Sequence, residues 1–497
     1  MEIYGFAPWG FEGHLVRIEV DLRRGIPGLE MVGLPGSAVR EARERVRIAL
    51  SAAGFQFPAD RILVNLSPAD IPKTGSGYDL PLALALLAAS GQWRGSGSLL
   101  AVGELSLDGS LRSVTGTLAA AVTARERGLR TLVLPLDSVA EASGVPGLNI
   151  IAGSCLSDLL ANLNSLHFAP VQTATSLETQ APPVLRGQPQ TLRALQVAAA
   201  GGHSLLLFGP PGSGKTLAAR TLEHLLPPWP IDSALQTSRI WSLAGKLPPG
   251  SGLLRRRPFR EPHHSASAQG ILGGGLGLLP GEISLAHQGV LFLDEAPEYS
   301  SRLLQALREP LEAGKIHVVR AGMSVWYPSR FALVMTANGC PCGQSGRDKG
   351  VCFCSAQTIR RYWDRLGNAL MDRVELRLFL RPVPVDQGLS QDSTSWVDLK
   401  APVELARKRQ AARGQDVNQA NVDLDLPALR RFSKLQPAHE NLLGKWGRQE
   451  DWSTRALQAV LKVALTLADL DDSVMELSHI EQACRLRSPQ GGEPWRD

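Results

Sequence analysis

The chain has 497 residues, 44% of them hydrophobic and 20% charged, with a formal net charge of +5. That length exceeds what one hydrophobic core serves, so several domains are expected. The mild positive excess permits a polyanionic partner without demanding one, and the longest apolar run, Leu80–Ala89, falls well short of the roughly 18–20 residues that cross a bilayer, so no membrane is expected as a partner.

Met1-Glu-Ile-Tyr-Gly opens the chain without a cationic start or an apolar signal core, and a cytoplasmic location is expected. Residues 1–165 alternate strand and helix signals. Leu15–Leu22 predicts a strand. Ser37 can cap a helix whose apolar positions Val39, Ala42, Val46, Ala49 and Leu50 recur at helical spacing. Arg61–Leu66 predicts a second strand, Tyr78–Ala89 a nearly all-apolar helix, and Leu99–Leu107 a third strand. Thr117–Glu126 and Thr131–Leu134 add a helix and a strand, and the whole reads as an α/β domain. Residues 166–185 read as a linker, since Phe168–Pro183 is polar and aperiodic with proline toward both ends.

The segment 186–385 carries the clearest chemistry. An apolar run, Ser204–Phe208, leads into Gly209, Pro210, Pro211, Gly212, Ser213, Gly214, Lys215 and Thr216, and helix formers follow to Leu225. This is G-x-x-x-x-G-K-[ST] between a strand and a helix, the setting in which the pattern has a mechanism. The glycines let backbone N–H groups curl around phosphate oxygens, and the helix aims its positive end at them. Lys215 would reach the β- and γ-phosphates of ATP, and the Thr216 hydroxyl would ligate Mg²⁺. A plain glycine-rich turn is the alternative. Against it stands Gly289-Val-Leu-Phe-Leu-Asp294-Glu295, an unbroken apolar run of the kind a buried parallel strand shows, ending in two carboxylates. Asp294 would hold Mg²⁺ through water, and Glu295 would polarise the attacking water. Phe331–Thr336 predicts another buried strand, ended by Asn338.

Four of the six cysteines crowd into residues 340–354 as Cys340-Pro-Cys342 and Cys352-Phe-Cys354. In a large nucleotide-binding chain such crowding points to metal in a reducing compartment rather than to disulfides. Four thiolates suit a closed, structural Zn²⁺ site, although the one-residue spacing is tighter than the usual two. Buried free thiols and an oxidation switch remain as other readings. Residues 386–399 lose pattern again and read as a second linker. Residues 400–497 are helical in signal, with Arg455 just ahead of the Ala- and Leu-rich stretch Ala456–Leu470.

The order of these parts resembles the AAA+ ATPases. Four strings narrow the resemblance: Arg257-Pro-Phe-Arg-Glu-Pro-His-His264, Pro280-Gly-Glu-Ile-Ser-Leu-Ala-His287, Leu307-Arg-Glu-Pro-Leu-Glu312 and Ala337-Asn-Gly-Cys-Pro-Cys-Gly343. They look like the Mg-chelatase-like proteins of the ComM/YifB type. Tyr4-Gly-Phe-Ala and Val32-Gly-Leu-Pro-Gly36 match as well, so the likeness covers nearly the whole chain. Joined to the P-loop and cysteine readings above, it gives an AAA+ P-loop ATPase core with a zinc-binding insertion and a helical C-terminal lid, and assembly as a homohexamer is expected. The implied function is an ATP-driven helicase that promotes branch migration on forked, branched or single-stranded DNA during recombination and natural transformation. By position, Asn338 resembles the sensor-1 residue that helps orient the attacking water. Arg373 resembles the arginine finger given to a neighbouring subunit, and Arg455 resembles the sensor-2 residue of the lid. Arg373 can also be read as a salt-bridged surface arginine, and Arg455 as an i, i+4 helix partner. An ATPase subunit of a magnesium chelatase, driving metal insertion into a porphyrin, is the alternative function.

Between the P-loop and Asp294 lie Arg255, Arg256, Arg257, Arg260, His263 and His264. They read either as a loop facing the central pore of a ring and touching a phosphate backbone, or as a solvated or intersubunit basic face. Lys315 to Arg330 reads as a hairpin in which Lys315, Arg320 and Arg330 would contact phosphates and Trp326 and Tyr327 would stack on bases.

In the first domain, Pro72-Lys-Thr-Gly-Ser-Gly-Tyr-Asp-Leu-Pro-Leu82 and Gly103 to Leu118 resemble the Lon-protease fold. The resemblance puts Gly77 at the nucleophile position and Leu118 at the lysine position. Lys73 is the only lysine before Lys215, and Ser76 lies three residues away on the same loop, poorly placed to be activated by it. A catalytically inactive Lon-like domain is expected, serving as a scaffold or a DNA-contact module.

Overall fold

The computed structural model describes residues 1–170, 185–383 and 395–488, apart from 96, 249, 276, 321, 348, 349, 417 and 418. In the first domain seven strands form one sheet in the order Gly28–Val32, Arg61–Ser67, Glu12–Arg23, Glu2–Trp9, Ser98–Ala101, Thr131–Pro135, Asn149–Gly153. Glu12–Arg23 runs antiparallel to both neighbours, and the other pairs are parallel. Successive side chains of a strand face opposite ways, and here both faces are covered. Leu99, Ala101, Val133 and Ile151 pack with the helices Ser37–Ala52, Asp79–Ala89 and Leu156–Ser165. Leu100, Leu132, Leu134 and Ile150 pack with the helix Thr117–Glu126 on the other side.

Two expectations shift. The hairpin strand Glu2–Trp9 escapes the sequence reading, and its partner extends beyond Leu15–Leu22 because Gly10, at φ +60°, turns the chain directly between them. The strand expected over Leu99–Leu107 ends at Ala101. At Gly103 a Cβ would sit 3.1 Å from Pro135, and the Gly103 carbonyl accepts the Leu80 N–H, so the chain leaves the sheet to meet a helix. Glu104–Leu105 pairs instead with Leu111–Arg112.

The second domain is built on five parallel strands in the order Phe259–Arg260, Val290–Leu293, Ala332–Ala337, Leu205–Phe208, Leu376–Phe379. The middle three are buried throughout, which accounts for their unbroken apolar runs. Leu205, Leu207, Phe292, Val334 and Leu376 face a core shared with Pro189–Gly201, Lys215–Leu225 and the C-terminal helices. Leu206, Phe208, Leu293 and Met335 face the opposite core. That second core continues without interruption into Leu118, Ala121 and Val122 of the first domain.

The domains also meet through polar contacts. Arg239 is buried, ion-pairs with Glu126 at 3.2 Å and lies over the Phe11 ring. Ser242 donates to Glu141 at 2.6 Å. The C-terminal region is helical as expected, from Trp396–Ala412 to Leu477–Arg487. Ser395 caps the first of these helices, so it occupies the end of the segment read as the second linker. Most of both linkers, 166–185 and 386–399, falls outside the described residues. Among the described residues no helix is long and apolar enough to cross a membrane.

Candidate functional site

The strand order builds the site. Ala332–Ala337 lies between the P-loop strand Leu205–Phe208 and the strand Val290–Leu293, with Phe208 opposite Ala337 and Leu293 opposite Met335. The residues that follow the three strands, Gly209, Asp294 and Asn338, are thereby brought to one edge of the sheet. Gly209 sits at φ +152°, where a Cβ would come within 2.3 Å of the Leu380 carbonyl oxygen, so no side chain fits. Gly212 and Gly214 take φ +82° and +88°, the left-handed turn that only glycine makes without strain, and Gly214 caps the helix Lys215–Leu225.

Lys215 Nζ donates to the carbonyls of Gly209 at 2.7 Å and Pro210 at 3.0 Å and to Asn338 Oδ1 at 3.2 Å. Burial holds this ammonium below its usual range, against the pull of Asp294 and Glu295. The Ser213 hydroxyl is buried without a partner, and the first turn of a helix leaves N–H groups unpaired. This cradle fits a polyphosphate. Thr216 is exposed, and its hydroxyl and the Asp294 carboxylate offer oxygens of the hard kind that Mg²⁺ takes.

Two residues to which the sequence reading gave no role in the site support it. Thr336 is buried, donates its hydroxyl to Asp294 Oδ1 and accepts the Glu295 N–H at 2.8 Å. Glu295 is thereby held at φ +51°, a conformation rare outside glycine. Tyr362 Oη accepts the Asn338 N–H at 3.2 Å. Thr336 had a signal, a polar residue inside an apolar strand; Tyr362 had none.

The four cysteine sulfurs lie within 4.8 Å of one another, with Cys340 to Cys342 at 3.3 Å, Cys340 to Cys352 at 3.4 Å and Cys342 to Cys352 at 3.7 Å. A tetrahedron of thiolates ~2.3 Å from zinc has its sulfurs ~3.8 Å apart, so the donor set and its spacing fit. The Gln344 backbone N–H, followed by the Cys340 and Cys354 thiols, draws the Cys342 thiol down to about 7.

Arg373 and Arg455 are not beside Lys215. They line a cavity of about 430 Å³ with Glu375 and with Ser204 and Phe331, the residues that precede the strands whose other ends carry Gly209 and Asn338. Arg373 pairs with Glu312 at 2.7 Å and also donates to the Ala369 carbonyl; Arg455 pairs with the same Glu312 oxygen. Arg455, expected on a lid over the nucleotide, lies at the far end of the sheet because Thr454–Leu470 packs along Pro189–Gly201 and starts near Gly202.

The residues read as DNA contacts divide. Arg255, Arg256, Lys315 and Arg320 are exposed. His263 and His264 are exposed too, their rings 4.1 Å apart. Arg257 is turned inward, donating to the carbonyls of Pro227 at 2.9 Å and Gln288 at 2.8 Å, and burial brings it down to about 10. Arg260 makes a bidentate pair with Glu282 at 2.5 and 2.9 Å. Arg330 joins the cavity of Arg373. The hairpin forms, Lys315–Arg320 against Met323–Pro328, but its aromatics are occupied. Tyr327 is buried and donates to the Leu278 carbonyl, and Trp326 packs on Phe11 at 5.5 Å.

In the first domain Leu118 is fully buried and its N–H donates to Glu141, while Lys73 is buried and its Nζ donates to the Pro68 carbonyl. Neither position presents a base to Gly77 or Ser76.

Sequence profiles described as "Magnesium chelatase, subunit ChlI", "Subunit ChlI of Mg-chelatase" and "Magnesium chelatase, subunit ChlI C-terminal" match residues 183–387, 18–138 and 393–487. The chain is 40% identical to the Escherichia coli protein YifB over 495 residues, 97% of this chain and 96% of that one. It is 39% identical to the competence protein ComM of Haemophilus influenzae over 501 residues, 98% and 97% of the two chains. A Lon protease of Mycolicibacterium smegmatis is 24% identical over 148 residues, 29% of this chain and 19% of the protease.

Proposed function

This chain belongs to the Mg-chelatase-like AAA+ family that includes YifB and ComM, and from that premise we propose that it is an ATP-hydrolysing motor that moves branched DNA. The observation that supports the ATP-hydrolysing part of the reading is the strand order, with Asn338 between Lys215 and the Asp294–Glu295 pair. Gly209 to Thr216 would cradle the phosphates of ATP, with Lys215 leaving the two carbonyls and Asn338 to meet them. Mg²⁺ held through Thr216 and Asp294 would neutralise phosphate charge. Glu295, its backbone tied to Thr336, would take the proton of the attacking water, and Asn338 would orient that water.

The position of Arg373 and Arg455 supports a ring. A guanidinium at the strand ends remote from its own P-loop can serve a phosphate only on another copy, so a homohexamer with Arg373 and Arg455 acting between subunits is the assembly we favour. Zn²⁺ on Cys340, Cys342, Cys352 and Cys354 would be structural, since four protein ligands leave no position for water. The DNA assignment draws on the competence protein's name and on the exposed cations Arg255, Arg256, Lys315 and Arg320. The Lon-like domain is a scaffold in this reading, because its candidate catalytic positions are buried or lack a base.

The test is ATP hydrolysis with and without a synthetic four-way junction, together with ATP-dependent resolution of that junction into duplexes. Stimulated hydrolysis and resolution are expected. Hydrolysis by a hexamer that neither binds nor resolves junctions would favour the chelatase-type alternative.

A further inference from the structure

We propose that the four-cysteine cluster is a Zn²⁺-dependent brace of the nucleotide site, so that metal occupancy sets nucleotide affinity; this rests on the ATPase reading above. The cluster begins two residues after Asn338, whose Oδ1 holds Lys215. From Cys340 the chain turns back across the P-loop. Gly343, at φ +71°, lies so close that a Cβ would stand 3.2 Å from Pro211, and Gly346, at φ +85°, would bring one to 3.4 Å from Pro210 and 3.1 Å from Phe379. Two glycines thus let bare backbone lie on the two prolines that shape the P-loop.

Among the described residues the turn's own backbone bonds are short-range, from the Gly343 N–H to the Cys340 carbonyl at 3.0 Å and from the Arg347 N–H to the Gln344 carbonyl at 3.2 Å. Gln344, Ser345 and Arg347 are polar and partly or fully exposed, and Cys340 is the buried anchor, its Sγ accepting the Ser345 N–H at 3.3 Å. Cys340 and Cys342 stand at one end of the loop, Cys352 and Cys354 at the other, so a metal bound by all four closes it. Closing a loop by metal removes conformational freedom that the open chain would keep, and the binding energy of the metal becomes local folding energy. All-sulfur coordination selects Zn²⁺ over the hard Mg²⁺ of the neighbouring site. With the metal bound, the turn presses Pro210 and Pro211 into the phosphate-binding shape and fixes the start of the chain after Asn338. Without it, the turn opens and the P-loop loses one wall.

The experiment uses the full-length protein under reducing conditions. Zinc per chain is measured by elemental analysis, then released by titration with p-hydroxymercuribenzoate and followed with a zinc-sensitive dye, while the affinity for a fluorescent ADP analogue is read at each step. One zinc per chain and a loss of ADP affinity of about tenfold or more on its release are expected, reversed by excess thiol and Zn²⁺. The Gly346→Val variant keeps all four cysteines; it should retain its zinc and bind ADP more weakly, because its side chain pushes against Pro210 and Phe379. Zinc release with unchanged ADP affinity, or wild-type ADP binding by Gly346→Val, overturns the brace. Protein that holds no zinc and takes up none overturns the metal site. Zinc-loaded protein that binds no ADP overturns the ATPase reading and this proposal with it.

Discussion

Arg373 and Arg455 donate to one and the same oxygen, Oε1 of Glu312, at the end of the sheet remote from Lys215. Two guanidiniums that close repel each other unless a carboxylate lies between them. Glu312 supplies it, and Arg455, with Arg373 after it, holds that carboxyl below its usual range. The pair is separated by more than eighty residues of chain and by a change from sheet edge to C-terminal helix. One carboxylate between two guanidiniums leaves a net charge of +1, so an anion from outside could take the place of Glu312.

If that anion is the γ-phosphate of a neighbour, Arg373→Ala and Lys215→Ala should each lose nearly all ATPase activity, because an arginine finger is worth ~10³–10⁵ in turnover. Mixing the two variants should restore activity, since some interfaces then pair an intact P-loop with an intact Arg373. Steady-state rates across a mixing series check this. Mixtures no faster than the sum of their components would show that Arg373 does not act between subunits.

Glu295→Gln should leave nucleotide binding within a fewfold of wild type while lowering turnover by ~10²-fold or more, the usual worth of a positioned general base. Thr336→Val should lower turnover with less effect on binding, because it removes the hydroxyl that orders both Asp294 and the Glu295 backbone. Equilibrium binding of a fluorescent nucleotide beside single-turnover hydrolysis separates the two effects. Turnover of Glu295→Gln close to wild type sinks the assignment.

The basic residues should separate by experiment as they do in space. Replacing Arg255, Arg256, Lys315 and Arg320 together should weaken DNA binding at constant fold stability. The slope of log affinity against log salt should flatten by ~0.7–0.9 for each phosphate that is no longer neutralised. Arg257→Ala and Arg260→Ala should instead lower thermal stability. Arg257 satisfies two carbonyls, and stranding buried acceptors costs about 1–3 kcal/mol each. Salt-dependent DNA binding and melting temperature, read on the same preparations, decide between the classes.

His203 and His287 are fully buried, and desolvation holds both near a pKa of about 3, helped by Lys462 beside the first and by Arg330 and Arg257 beside the second. The unfolded chain takes up their protons near pH 6.5 and the folded chain does not, so their contribution to stability is complete above that pH and is lost as pH falls toward 3. Each histidine costs ~1.4 kcal/mol per pH unit within the window. Burial raises the carboxyls of Glu375 and Asp79, which offsets part of this loss. Melting temperature should fall between pH 7 and pH 5.5, and the fall should be shallower in His287→Gln. A profile that is flat or rises on acidification would contradict this.

Much of the nucleotide site was legible because its signals are local. Gly209 to Thr216 are consecutive, and the strand that leads into Asp294 carries its burial in four successive apolar residues. The cysteines sit two and twelve positions apart, close enough for a short loop to gather them. Helix Ser37–Ala52 followed from spacing, its buried residues being the five apolar positions that recur at helical intervals, but Ser37 does not cap it: Gly36 holds the cap position and no side chain bonds there. The hairpin Glu2–Trp9 did not, because its residues lack strict alternation and its pairing depends on one turn at Gly10.

By itself the sequence determined the candidates for phosphate, metal and charge, since side-chain chemistry and short-range backbone geometry are properties of neighbouring residues. Only the tertiary structure decided which of those residues are still available. Arg260 is committed to Glu282, Arg257 to the carbonyls of Pro227 and Gln288, and Trp326 to Phe11 from another domain. Arg373 and Arg455 face away from their own P-loop because strand order and helix packing place them at the opposite end of the sheet. Those partners lie tens to hundreds of residues apart, and they meet because burying two cores fixes the path of the backbone between them. No local pattern records that path.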